Sequence, residues 1–523
     1  MRIDIKQRMG TILALIGRYR DAAHVGPFFC SWLESYEVAW WAREHDGMCV
    51  PSIKESSMPT VIWDTQTWAE RNFGTCELGD QRRNKRLVKL AVQAAVRPDG
   101  SLPDQTETWG DCRAAYRLFD CDDVSFQEII APHCRLTRES CVMGETKLII
   151  NDTTELDFTS LRKTTGLGPI GNGLCRGFFL HTAMMIDEAT SRTEGLAAQD
   201  IFYRKTRKKA KPAKNARRRK TDRESAVWGR VIDDVGAPPA GVTWIHLCDR
   251  GADDLEVMWK ALHNNCGFCI RAARLNRNII TSDGRTIPLA QYLTELPDRG
   301  QREIPVCATT KAAARTATVT LHYGNVELPL TKVLTPWLKA NRPTSPLRVG
   351  VVELIETNPP RGSQAIRWVI YSNTPVTNER EANQVITRYE QRPRIEDYHK
   401  ALKSGCKAED RRLETAARLE RVLGLDSVVA IRLMQLKTAA RETPARPAKE
   451  LVPPRWIEIL QRTRKLPKNP EMTIHQFLRQ MAGLGGFLLR KGDREPGWIT
   501  IWRGFEKLML IVRGAEDQRN KCG

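Results

Sequence analysis

At 523 residues the chain has length for about three domains, and 41% hydrophobic with 28% charged residues excludes a disordered chain. Its 82 Lys and Arg against 62 Asp and Glu give a net charge of +20 and a pI near 9.5, which favours a polyanionic partner. No apolar run approaches the ~20 residues of a membrane span, so no membrane partner is expected.

Residues 1–60 hold Trp32, Tyr36, Trp40 and Trp41 but no assignable motif; they read as an appended helix or an upstream mis-start before an internal Met58. Asp80 is an N-cap for a predicted helix that sets Arg82, Arg83, Lys85, Arg86 and Lys89 around an apolar stripe of Leu87, Leu90, Ala91 and Ala94. Alone, that pattern is an amphipathic helix with a solvated basic face. A second helical segment carries Trp109, Tyr116 and Phe119.

Short apolar runs bounded by turns predict strands over Lys147–Thr154, Arg176–Asp187, Thr193–Ala198, Val242–Asp249 and Gly267–Arg271, with a helix over Asp253–Asn264. Asp152 and Asp249 read as strand-end carboxylates. Between these strands, Arg204 to Lys220 holds 11 basic and no acidic side chains, a solvated loop or a source of sequence-independent DNA affinity. Among the 14 cysteines only Cys266-x-x-Cys269 has a suggestive spacing; with no second pair it is read as structural, and the thiols as reduced and cytosolic. Thr/Val/Leu alternation at about 276–362 predicts a β-rich insertion, and helices follow Arg412.

In Tyr389-Glu-Gln-Arg392-Pro393-Arg-Ile-Glu396-Asp-Tyr-His-Lys-Ala-Leu-Lys403, a tyrosine, an arginine, a glutamate and a lysine sit at helical offsets. At about 100° per residue they project at roughly 0°, 300°, 340° and 320°, one face carrying a carboxylate between cations and a phenol. Pro393 disfavours helical conformation at Arg392 but suits a first helical turn. If the helix starts there, only Glu396 and Lys403 keep a common face.

This Tyr-x2-Arg-x3-Glu-x6-Lys spacing resembles the signature of DDE transposases of the insertion-sequence IS-four family, which includes the Tn-five type. Leu78-Gly79-Asp80-x-Arg82-Arg83-x-x-Arg86-Leu87 is similar to the start of the family's end-binding domain, and Asp152-Thr-Thr and Asp249-Arg250-Gly-Ala-Asp253 are similar to its strand motifs. Leu484-Gly-Gly-Phe487 through Trp502-x-Gly504-Phe505 is similar to its dimerisation region. Pro393 departs from relatives that carry an aromatic residue there.

The resemblance implies an α/β chain: an extension over 1–60, a helical end-binding domain over 61–147, an RNase H-like catalytic domain over 148–412 with the β-rich insertion, and a helical dimerisation region over 413–523. It also implies a cut-and-paste transposase of the bacterial cytoplasm, with double-stranded transposon ends and target DNA as partners and a homodimer in the synaptic complex. Asp152, Asp249 and Glu396 would be catalytic ligands for two Mg²⁺ ions, with Mn²⁺ able to substitute. Tyr389, Arg392, Lys403, Arg82, Arg83, Arg86, Arg271 and Arg274 would contact DNA. Trp368 would receive a flipped base, its alternative being a core tryptophan on a strand. The competing expectations are a DNA-binding protein without catalysis, such as a relic or inhibitor, and a stand-alone nuclease.

Overall fold

The N-terminal helices pack through the stripes their spacing sets. The computed structural model describes residues 65–522 apart from 205–223, 307–314, 331–333, 342, 361–364, 443, 451, 469–470, 491 and 494. The 1–60 extension and the basic run beyond Arg204 lie outside the described residues, which belong to one unit of the chain, Pro59–Gly523. First come α1 (Thr65–Phe73), α2 (Gln81–Val96), α3 (Trp109–Asp120) and α4 (Phe126–Glu139). The Asp80 carboxylate accepts from the Arg82 amide at 2.8 Å, capping α2 as expected. Leu87, Leu90, Ala91 and Ala94 are all buried, each leucine stabilising by about 2 kcal/mol.

The chain then builds β1 (Thr146–Asp157), β2 (Gly168–Ile170), β3 (Cys175–Asp187) and β4 (Thr193–Phe202), followed by α5 (Ala226–Val235), β5 (Thr243–Cys248), α6 (Leu255–His263) and β6 (Gly267–Arg271). β1 pairs antiparallel with β3, and β3 with β4, whereas β5 joins β1 in parallel and β6 joins β5 in parallel. Helices α5 and α6 make the crossovers that parallel strands require. Leu148, Ile149 and Ile150 are buried on both faces, as a covered central strand must be.

The β-rich segment comprises β7 (Asn278–Ile280), β8 (Thr286–Pro288), β9 (Gln301–Val306), β10 (Arg315–Leu328) and β11 (Leu347–Glu356), and returns through β12 (Arg367–Ser372). It continues the same sheet: the order is β2-β3-β1-β5-β6-β12-β11-β10-β7-β8, with β4 on β3 and β9 on β10.

After the sheet come α7 (Glu379–Tyr389) and α8 (Arg394–Lys400), the latter running into a π-helical turn over Ala401–Gly405. This corrects the expectation of one helix through Tyr389, Arg392, Glu396 and Lys403. Pro393 lacks the N–H that would continue α7, and it stands at the N-cap of α8 with φ −61°. The last elements are α9 (Ala416–Glu442), α10 (Pro454–Thr463), α11 (Ile474–Leu484) and α12 (Trp498–Cys522). A Cβ at Gly504 would collide with the Met481 carbonyl, so glycine there lets α11 and α12 touch backbone to backbone.

Candidate active site

The site forms where β1 outruns β5. Their pairing ends at Ile150–Leu247, while β1 continues along β3 with Asp152 opposite Thr182. Asp152 is therefore inside its strand rather than at the strand's end, but past the limit of its parallel neighbour. The β5 chain turns away at Asp249, whose Oδ1 accepts from the Gly251 amide at 2.6 Å as the cap of a short 3₁₀ turn. Both carboxylates thus open on one side of the sheet.

Glu396 arrives from α8. That helix buries Ile395 and Tyr398, and the π turn after it buries Leu402, while the Glu396 side chain is left half-exposed. The Tyr398 hydroxyl is fixed inside by the Gln199 amide at 2.9 Å.

Arg392 stands among the three acids. Its Nη2 lies 2.9 Å from Asp152 Oδ1 and 3.5 Å from Asp249 Oδ2, and its Nη1 lies 3.4 Å from Glu396 Oε1. The turn that carries it is tied on both sides. Glu390 accepts from Arg302 Nη2 with both oxygens at 2.7 Å, Arg388 Nε donates to Glu188 at 2.6 Å, and Arg394 Nη1 donates to the Ser191 carbonyl at 2.9 Å. Burial pushes the Asp152 carboxyl up to about 6; Arg392 and the Thr153 amide pull it down, while Asp249 and Glu396 push it up. Among the described residues no three His, Cys, Asp or Glu side chains have the arrangement of a metal site. The guanidinium instead stands between the carboxylates. Three carboxylates from three elements converge on this one positive group, and their oxygens are of the donor type that a hard divalent cation takes.

The remaining sequence candidates fall at differing distances from this centre. Tyr389, at the end of α7, is buried, its hydroxyl raised to about 12 by burial, and its ring meets half-buried Trp368 edge-on at 5.5 Å. Arg271 lies against Tyr389 and donates to the Arg367 carbonyl at 2.8 Å. Arg274 is exposed on a loop that Asp253 holds by accepting from the Ala273 and Arg274 amides at 2.8 and 3.1 Å. Asp254, not Asp253, caps α6. Lys403 lies in the π turn and pairs with Glu409 at 3.2 Å. Cys266 and Cys269 are buried thiols, each pushed up to about 12 by burial, which favours the structural reading.

The basic residues of α2 are largely engaged within the protein. Arg83 pairs with Asp123 at 3.0 Å and Arg86 with Asp111 at 2.6 Å, while exposed Arg82 folds back onto Asp80 at 3.0 Å.

Residues 65–124 match the family model of a transposase DNA-binding domain, and residues 428–522 match that of the transposase Tn5 dimerisation domain. The two matches together support a Tn5-like transposase of the insertion-sequence IS-four family. A cryo-EM structure of a piggyBac transposase synaptic complex with hairpin DNA is a distant likeness, 11% identical, covering 87% of this chain and 82% of that one at a TM-score of 0.36.

Within the DNA-binding match the transposase offers a face that sequence reading did not select. On α3, Trp109 is 69% exposed and Tyr116 38%, and exposed Arg113 and Arg117 lie beside them at helical spacing. Neither arginine has an ion-pair partner among the described residues. The available signal was the Trp109/Arg113/Tyr116/Arg117 periodicity itself. Within the dimerisation match, Leu488, Leu510 and Ile511 are exposed apolar side chains of the transposase.

Proposed function

We propose that this transposase is a cut-and-paste enzyme with an RNase H-like core, in which Asp152, Asp249 and Glu396 hold two Mg²⁺ ions, with Mn²⁺ able to replace them. The strand order β4-β3-β1-β5-β6, antiparallel first and then parallel, supports that core. The convergence of three carboxylates from β1, the β5 turn and α8 on a single cation carries the assignment. When bound, the ions supply Lewis-acid activation of water and stabilisation of the leaving 3′ oxygen.

The protein's own groups then position the DNA. The exposed α3 face, together with Arg82 of α2, binds the terminal repeats. Arg271, Arg274, Arg392 and Lys403 take phosphates near the cut, Tyr389 supports them from below, and Trp368 is the surface on which an unstacked base rests. Dimerisation through the C-terminal helices pairs two ends. Hydrolytic nicking, hairpin formation and release precede transfer of the 3′ ends to target DNA.

The test is incubation of the full chain with Mg²⁺ and a DNA bearing the ends that flank its own gene, scored for hairpin and excised products. Loss of cleavage with retained binding in Asp152→Ala, Asp249→Ala and Glu396→Ala supports the reading; undiminished cleavage in any of them removes that residue. The insertion of Arg392 between the acids favours a second reading, a DNA-binding protein without catalysis. Binding without cleavage by the unaltered chain would select it.

A further inference from the structure

We propose that Arg392 is a built-in counter-ion that holds Asp152, Asp249 and Glu396 together before metal loading and that a divalent ion must expel; this rests on the metal-site reading above.

The guanidinium reaches all three carboxylates, and its own carboxylate-facing nitrogens are Nη1 and Nη2. Its Nε is buried without a hydrogen-bond partner, so this pose leaves one donor of the fork unused. The residues flanking it are anchored through Arg302, Glu188 and the Ser191 carbonyl, so an exchange would be confined to the Arg392 side chain.

Charge sets the direction of the exchange. Three carboxylates facing one guanidinium leave an excess of negative charge in a partly buried place, which a divalent ion would neutralise more fully. Once such an ion sits among the acids, the guanidinium beside it is repelled. The Arg392 side chain keeps an exposure of 16%, so it borders solvent, and a guanidinium fork displaced that way would have the geometry to grip a phosphate. Metal loading would thereby arm a DNA contact, and the metal-free site would remain assembled rather than splayed.

Calorimetric titration of the full chain with Mn²⁺ alone, without DNA, tests this. Arg392→Gln removes the competing charge and is expected to tighten Mn²⁺ binding about tenfold or more, whereas Arg392→Lys stays within a few-fold of wild type. Asp152→Asn is expected to abolish the binding. If binding depends on Asp152 but Arg392→Gln leaves it unchanged or weaker, the counter-ion role is wrong while the metal site stands. If Asp152→Asn leaves binding intact, the metal-site reading fails and takes the counter-ion role with it. Should Arg392→Gln not fold, a structure of the wild-type protein soaked in Mn²⁺ decides: a retracted guanidinium supports the exchange, and one still seated on Asp152 beside bound Mn²⁺ overturns it.

Discussion

Arg392 Nη2 and Asp152 Oδ1 stand 2.9 Å apart, joining a turn between two helices to the interior of a central strand 240 residues earlier in the chain. The pair is mostly shielded from solvent, so removing the cation leaves a charge without its partner. Arg392→Ala is expected to lower unfolding free energy by about 1–3 kcal/mol in EDTA. Urea unfolding followed by tryptophan fluorescence, with and without Mn²⁺, checks this. Equal losses in both buffers would rule out metal as a substitute for the guanidinium.

Asp111 joins Arg86 and Lys89, and their hydrogen bonds hold its carboxyl down to about 2. A depressed folded-state pKa adds stability that is fully present above the ordinary carboxylate range near pH 4, and that is lost as pH falls through about 2. Because Lys89 is nearly half exposed, solvent screening reduces the contribution to about 1 kcal/mol. Asp111→Asn is expected to lower the melting temperature at pH 7 and to flatten the acid side of the stability profile. A wild-type acid limb in that variant would count against the assignment.

The arginines of α2 and α3 divide by role. Arg113→Ala and Arg117→Ala are each expected to weaken DNA binding and reduce the salt slope by about 1, leaving the melting temperature unchanged. Arg86→Ala is expected mainly to destabilise, because it breaks the bond to Asp111. Fluorescence anisotropy across a salt series, beside thermal melts, separates the two. An α3 variant that keeps wild-type affinity would remove that residue from the interface.

A Cβ at Gly251 would lie 2.9 Å from Trp228 Cζ2 and 3.0 Å from Asp249 Oδ1. The Asp249 carboxylate would have to move away from the Gly251 amide that it caps. Gly251→Ala is thus expected to cut DNA cleavage at least about tenfold, a barrier rise of about 1.4 kcal/mol, with DNA affinity retained. Single-turnover cleavage beside a binding assay reads the two apart, and a parallel fall in both would point to general misfolding.

Pro393 fixes φ at the entry to α8 and donates nothing there. Pro393→Ala is expected to destabilise by about 0.5–1 kcal/mol through a freer unfolded chain. The midpoint of urea denaturation measures it, and a stabilised variant would indicate strain at the proline.

Legibility in the sequence followed the range of the interaction concerned. Leu148–Ile150 and Trp244–Cys248 announced buried strands because that signal is local, and the Asp80 cap was readable because its acceptor lies two residues from its donor. Projecting Tyr389 through Lys403 onto one helix assumed a regular 100° step, which the Pro393 break and the π turn at Ala401 both violate. Arg86 carried no local sign that its partner would be Asp111, 25 residues away, and the exposure of Trp109 depends on which face of α3 the fold covers. The three acids could be chosen from motif likeness, but a guanidinium wedged between them is a tertiary fact.

The shared sheet has a practical consequence for anyone trimming this protein. Because β12 zips onto β6, the segment between them leaves and re-enters the scaffold along a single seam. A shortened version that discarded β12 along with β7–β11 would strip β6 of its antiparallel partner, leaving only β5 beside it, and bare a sticky flank beside Arg271. One that rejoined the chain just ahead of Arg367 would leave that seam closed and place the new boundary on β12 itself.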